Sequence, residues 1–333
     1  MGAPRSLLDA TDTVPLGDAQ AVAAATTRIL EQCFGAGSFD RELLSRTFTL
    51  VGRLFAGEHP GYLACDMPYH DLRHSLDTAL VTARLIGGWQ KGHGVASGAL
   101  TPEYGLLGVL LALLHDVGYI RKASEAALCG PQLTAEHEAR GAEFAESYLR
   151  TTSLAKHSAL APLILVTRLA SETTPLFAGY GSEAVTVGRM LGSADLLSQI
   201  ADRWYLERCY YHLYPELVLG GCDRVRTADG QEQVLYRDAF DLISKTPRFY
   251  EAIVCKRLDE DFQQVDRHLA AHFSGADPYA EAVRRNMERA AHMVAEGLSG
   301  ALRQEPITTT GDLAAIYHAA PPRAKLARQI DHR

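Results

Sequence analysis

The sequence has no Cys-x-x-Cys pair, no long apolar run and no excess of positive charge. Its six cysteines, Cys33, Cys65, Cys129, Cys209, Cys222 and Cys255, are too widely spaced for a small disulfide framework. Reduced thiols and a cytoplasmic location are therefore expected. The opening Met1-Gly2-Ala3-Pro4-Arg5 contains no apolar signal core. The longest apolar stretch, Leu106 to Leu114 with Gly108 inside it, is far short of a membrane span. Lysine and arginine total 33 against 40 acidic residues, a net charge of -7, so nothing favours nonspecific binding of nucleic acid. No internal repeat and no low-complexity tract is present. What remains is ordinary globular composition: 333 residues, 47% apolar and 22% charged, enough for one large domain or two medium ones.

Helical spacing dominates, and an all-α fold with one small β-hairpin is expected. Residues 1–17, with Pro4, Pro15 and Gly17, read as a loose arm. Asp18 to Phe34 and Glu42 to Phe55 carry apolar residues at helical intervals. A helix from Tyr69 to Ile86 should stop at Gly87-Gly88. Thr101-Pro102-Glu103 reads as a helix start with proline in the first turn. Further helices are expected over Thr134–Leu149, over Ala161–Ala170 and over Glu183–His212. In the stretch 220–237 the pattern changes: two short β-like segments flank Ala228-Asp229-Gly230-Gln231, and Asp-Gly is a hairpin signal. Helices should resume over 238–302 and give way to a tail at 303–333, marked by Pro321-Pro322 with Lys325 and Arg328. The whole of 18–302 is expected to form one helical domain, with its core motifs in 69–195.

Three segments carry chemistry: Tyr69-His70-Asp71-Leu72-Arg73-His74-Ser75-Leu76-Asp77, then His115-Asp116-Val117-Gly118, then Ser193-Ala194-Asp195-Leu196. His70 and His74 are spaced i, i+4, which would put them on one helix face. Taken alone, such a pair suits a half-buried polar face equally well. Asp77, three residues beyond His74, could hold its imidazole as an acceptor. His115 and Asp116 close the apolar run Leu110-Leu111-Ala112-Leu113-Leu114, and Asp195 lies among small and apolar residues. Burying such groups unpaired is costly. A shared divalent ion removes that cost, and mixed imidazole and carboxylate donors suit Zn, Mn, Fe or Mg. A capped helix end is the plainer alternative for His115-Asp116.

These segments resemble the HD-domain metal-dependent phosphohydrolases, and within that superfamily they are most similar to the class I cyclic nucleotide phosphodiesterases. The similarity spans roughly residues 45–210. It rests on Tyr69-His70-x-x-x-His74-x-x-Asp77, on His115-Asp116, on His137-x-x-x-Gly141, and on Ala194-Asp195-Leu196 with Ser198. The resemblance implies His74, His115, Asp116 and Asp195 as ligands of a first metal, with Asp116 bridging to a second. It implies His70 as the acid that protonates the departing alkoxide while a metal-activated hydroxide attacks. His137 would serve a second metal or sit behind the first. Two metals about 3.5–4 Å apart can activate water and clamp phosphoryl oxygens, and an imidazole suits proton donation near neutral pH.

The sequence departs from that pattern in three places. Asp71 stands where the family has Asn, Gly118-Tyr119 replaces its Asp-His, and the purine-clamping glutamine has no clear equivalent. Gln231, Gln233, Gln263 and Gln264 are candidates by position. Tyr69, Arg121, Lys122 and Trp204 are weaker candidates for binding substrate. Arg121 and Lys122 could hold phosphate or be solvated loop cations. Trp204 and the tyrosines after it (Tyr205, Tyr210, Tyr211 and Tyr214) could stack on a base or simply fill the core. The expected reaction is hydrolysis of a phosphodiester in a small, cyclic-nucleotide-like molecule. Alternatives are an HD phosphomonoesterase or nucleotidase, a di-iron oxygenase, or a non-catalytic regulatory module. The expected partner is the small phosphorylated substrate, without nucleic acid or membrane, and a homodimer is compatible with the sequence.

Overall fold

A computed structural model describes residues 7–93, 98–169, 172–227, 230–297 and 302–303. It is mostly helical, with 12 α-helices and one two-stranded antiparallel hairpin among the described residues. The helices are α1 (Ala19–Phe34), α2 (Arg41–Phe55), α3 (Leu72–His93), α4 (Pro102–Leu114), α5 (His137–Leu149), α6 (Thr173–Phe177), α7 (Ser182–Ile200), α8 (Tyr205–Arg208), α9 (Tyr214–Gly220), α10 (Ala239–Phe249), α11 (His268–His272) and α12 (Pro278–Ala295). Strands β1 (Arg224–Arg226) and β2 (Glu232–Val234) pair with Val225 opposite Gln233, and both are largely exposed. The helices α3, α4 and α7 pack on one another at the centre. No described helix is long and apolar enough to cross a membrane.

Local chemistry explains the helix starts. Asp18 and Asp40 accept hydrogen bonds from first-turn amides of α1 and α2, and Asp238 and Asp277 do the same for α10 and α12. Gly35 closes α1 with φ +90.

Several boundaries differ from the sequence reading. Helix α3 does not stop at Gly87-Gly88 but runs through it to His93. The glycines mark a crossing, because a Cβ at Gly88 would lie 1.7 Å from the His268 carbonyl oxygen on α11. The expected helix over Thr134–Leu149 starts only at His137, after a 3-10 turn at Gly130–Leu133. In place of the expected Ala161–Ala170 helix the chain forms a 3-10 run, Ala155–Thr167, with Pro162, which lacks an N–H, inside it. Residue 170 lies outside the described residues.

The long helix expected over Glu183–His212 ends at Ile200. Asp202 then turns the chain into α8, its carboxylate accepting the Trp204 amide at 2.9 Å. A single π-turn, Cys209–Leu213, follows just before Pro215, which has no N–H to continue an ordinary helical ladder. Similarly, α10 contains Pro247 and gives way to wide turns at Tyr250–Val254 and Arg257–Asp261.

The loose arm expected over 1–17 is corrected for residues 7–17, which are packed. Val14 and Leu16 are buried, and the fully buried Asp9 accepts the Thr13 and Val14 amides and the Arg84 guanidinium at 2.7–2.8 Å. Pro4, Asp229 of the hairpin turn, and the tail signals Pro321, Pro322, Lys325 and Arg328 lie outside the described residues.

Candidate metal centre

Three central helices and the start of a fourth deliver the site. His74 lies in the first turn of α3, whose start is fixed by Asp71: the His74 amide donates to the Asp71 carboxylate at 3.1 Å. His70 precedes that cap. The expected shared helix face for His70 and His74 is therefore corrected: the two rings meet edge to face, 5.7 Å apart, across a bend. His115 ends α4, and Asp116 leads a 3-10 turn, Val117–Tyr119. Asp195 comes from the middle of α7, and His137 is the first residue of α5.

Helix α5 can approach because two glycines cross there. A Cβ at Gly118 would sit 1.8 Å from the His137 carbonyl oxygen, and one at Gly141 would sit 2.7 Å from that of His115. Thus Gly118 and Gly141 set His137 beside Asp116.

Four donor atoms converge. The Nε2 atoms of His74 and His115 are 3.2 Å apart. Asp116 Oδ2 is 3.4 Å from the first and 3.3 Å from the second. Asp195 Oδ1 is 3.1 Å from His74 Nε2 and 3.6 Å from His115 Nε2. Bonds of about 2.0–2.2 Å to one ion would place neighbouring donors about 3–3.5 Å apart, which is this geometry.

The ring tautomers agree. Facing Ala112 O at 2.7 Å, His115 Nδ1 must carry the proton and leave a lone pair on Nε2. Two imidazole nitrogens facing each other need a cation or proton between them. Asp116 Oδ2, buried and without a hydrogen-bond partner, needs the same. The residues therefore fit a divalent ion: His74, His115 and Asp195 form a buried group that could hold one, and Asp116 Oδ2 lies 3.3–3.4 Å from both imidazole nitrogens.

Asp116 presents its other oxygen elsewhere. Oδ1 lies 3.7 Å from His137 Nε2, and His137 Nδ1 faces the Thr134 carbonyl oxygen at 2.7 Å, so its free lone pair also points inward. One carboxylate thus spans two donor groups.

Electrostatics follow this crowding. Burial raises the carboxyls of Asp116 and Asp195, yet the neighbouring histidines hold both well below the usual carboxylate range. Burial lowers His115, but Asp116 and Asp195 push it well above the ordinary imidazole value. His137 is lowered, chiefly by burial. Without a metal, protons on imidazoles balance the carboxylates, so ion binding must release protons.

His70 is held by a residue outside the three motifs. Its Nδ1 hydrogen-bonds Glu216 of α9, whose second oxygen accepts the Tyr69 and His70 amides at 2.9 and 3.3 Å. Burial pulls His70 down, but the Glu216 carboxylate, together with Asp116 and Asp195, outweighs it and pushes it up to about 9. Asp71 is not its partner. That carboxylate accepts the His74 amide at the helix cap and pairs with Arg208 at 3.4 Å, so Glu216 and not the adjacent Asp71 holds His70. His70 keeps 18% of its side chain exposed, against 10–12% for Asp195 and His137 and 1–4% for His74, His115 and Asp116, so it is the most accessible of these side chains.

The remaining candidates fall away from this centre. Asp77 does not hold the His74 ring; the Ser198 hydroxyl lies 3.4 Å from His74 Nδ1. Asp77 faces Asp9, Asp202, Arg73 and Arg84, and burial with the two acids pushes it up to about 8. Tyr69 is a core residue with Arg208 over its ring. Arg121 is committed to Asp66 at 3.0 Å and to the Leu128 carbonyl at 2.7 Å. Lys122 is exposed on the loop beside Glu125. Trp204 lies beneath Arg303 and lines a different groove, with residues 10–13 and α12. Tyr205 is in the core, and Tyr214 bonds the Arg237 carbonyl. Gln231, Gln233 and Gln263 are exposed, and Gln264 donates to Asp259.

Two residues at the site were not picked out from the sequence as functional: Glu216 and Tyr119. Glu216 does carry a signal, an acid inside the apolar Tyr214–Gly220 helix, of the same kind that marks Asp195. Tyr119 stacks on His137 with ring centres 3.9 Å apart and planes 11° apart. Compared with known protein families and with curated proteins, the chain matches no family model and no curated sequence.

Proposed function

We propose that this protein is a metal-dependent phosphohydrolase that cleaves a phosphodiester bond in a small, nucleotide-like molecule. The observation that carries this reading is the convergence of His74, His115, Asp116 and Asp195 at ligand spacing, with the carboxylate-held His70 beside them. His74, His115, Asp116 and Asp195 would hold one divalent ion, and Asp116 Oδ1 with His137 would serve a second. When bound, such ions supply Lewis acidity toward phosphoryl oxygens and lower the pKa of water.

The side chains divide the rest of the work. Glu216 fixes Nδ1 of His70 and leaves Nε2 as the proton donor. In hydrolysis a water oxygen bonds to phosphorus, the bond to the leaving oxygen breaks, and that oxygen takes the His70 proton. Water's own proton passes to solvent, and His70 is then reprotonated. Its pairing with Glu216 keeps the imidazolium populated at neutral pH, as an acid catalyst requires. Ser198, hydrogen-bonded to the Asp195 carbonyl at 3.0 Å and to Thr78, links α3 to α7 behind the ligands.

A phosphomonoesterase would need Arg121 or Lys122 in the pocket, and Arg121 is already neutralised by Asp66. This favours a diester. The test is a screen of cyclic nucleotides, dinucleotides, aryl phosphodiesters and phosphomonoesters with Mn, Mg, Zn or Fe added. Diester hydrolysis that is abolished by chelator and falls about 10²-fold or more in His70→Gln is expected. Activity confined to monoesters, or unaffected by chelator, contradicts the proposal.

A further inference from the structure

Tyr119 occupies an unusual position for a residue so close to the reacting groups. It lies three residues after Asp116 in the 3-10 turn and is 2% exposed, so it cannot itself reach substrate freely. Its ring is 3.9 Å from that of His137 and nearly parallel to it. It is 5.0 Å from the ring of His70, with planes 26° apart, and the two imidazoles are 6.4 Å apart. These three separations form a nearly right-angled triangle with Tyr119 at the corner. Both imidazoles therefore stack against the phenol ring, His137 the more closely and His70 at a wider offset.

We infer that Tyr119 is a positioning residue: its rigid ring fixes the distance and angle between the proton donor His70 and the Asp116–His137 edge of the metal centre. This inference rests on the hydrolase reading above and deepens it. The physical basis is packing. His70 is anchored at Nδ1 by Glu216 and His137 at Nδ1 by Thr134 O, and a single hydrogen bond leaves each ring able to tilt. The phenol ring, packed against both, limits that freedom for the two rings at once. Gly118 contributes by letting α5 come close enough for the stack, since any Cβ there would strike the His137 carbonyl.

The consequence concerns proton delivery. A misplaced donor hurts substrates whose leaving oxygen needs a proton and spares those whose leaving group is stable without one. A loss of general stability would reduce both alike. A displacement of about 1 Å in a catalytic group can cost about 10²-fold in rate.

The experiment compares Tyr119→Phe and Tyr119→Leu with the wild type, each loaded with the same metal, on an alkyl phosphodiester and on a p-nitrophenyl phosphodiester. Metal content and thermal melts are recorded for each protein. Tyr119→Phe keeps the ring and should remain within about threefold of wild type on both substrates. Tyr119→Leu should lose about 10²-fold in kcat on the alkyl diester and less than about tenfold on the p-nitrophenyl diester, with KM and metal content little changed. If Tyr119→Leu loses its cooperative melt, Tyr119→Met is read in its place. Equal losses on the two substrates, or no loss, overturn the inference while leaving the hydrolase reading intact. A wild-type protein inactive on every phosphodiester overturns that reading and the inference together.

Discussion

Replacing Glu216 by Gln isolates the electrostatic half of the His70–Glu216 pair, because the amide keeps the shape and removes the charge. Burial lowers His70 from the ordinary imidazole value of 6.5, and the Glu216 carboxylate, with smaller help from Asp116 and Asp195, pushes it up to about 9. Losing the Glu216 share of that rise, about one to two pKa units, is worth about 1.4–3 kcal/mol in favour of the neutral ring. The proton that His70 donates is then present over a narrower range: activity persists at low pH and is lost as pH rises through the new, lower value. Bound cations lower His70 in both proteins, so the difference between them is the informative quantity.

The assay is kcat/KM for an alkyl phosphodiester from pH 5.5 to 9.5 at saturating metal. The basic limb of the Glu216→Gln profile should move down by about one to two pH units, with a deficit of about 10–10²-fold at pH 8 and near-normal activity at pH 6. A basic limb at the same pH in both proteins would refute the assignment of Glu216 to His70. In the metal-free wild type the same pairing should also stabilise the fold. Because the folded value of His70 is raised, that stabilisation is complete below about pH 6.5 and is lost as pH rises toward 9.

Other substitutions probe separate parts of the account. Gly118→Ala should destabilise the protein by about 1–3 kcal/mol and weaken any ion held by His137, because α5 must retreat from a Cβ 1.8 Å from the His137 carbonyl; melts and metal analysis check it. His137→Ala should lower bound metal from two ions to one per chain at saturating metal and leave His74 and His115 occupied, as read by metal titration. Asp77→Asn should raise Tm at pH 7.5. The folded Asp77 titrates near 8 instead of 3.8, so its destabilising effect grows with pH across that window, and the advantage of Asn should vanish toward pH 4.

The donors of the first group were legible because each is a polar residue in an apolar helix. His115-Asp116 after five apolar residues, and Asp195 among small ones, must be paired when buried, and the structure brings them together with His74. The helical class and the hairpin followed equally from periodicity and turn residues. What failed depended on neighbours distant in sequence. Gly87-Gly88 reads as a stop until α11 is seen crossing it. Residues 7–17 look loose from their prolines and glycines, yet Asp9 is held by Arg84, 75 residues away. Asp77 has the right spacing to orient His74, but the neighbouring helix supplies Ser198 instead. Glu216 reaches His70 from 146 residues downstream, after a π-turn that helical periodicity does not anticipate.

The central claim is that His74, His115, Asp116 and Asp195 bind a divalent ion, and metal analysis of stripped and reloaded protein tests it most directly. Wild type should bind at least one Mn, Zn, Fe or Mg ion per chain, with proton release on binding, and His115→Ala should fold yet fail to bind stoichiometrically at that group. Wild type that takes up no divalent ion, or His115→Ala with undiminished metal content, would contradict the account.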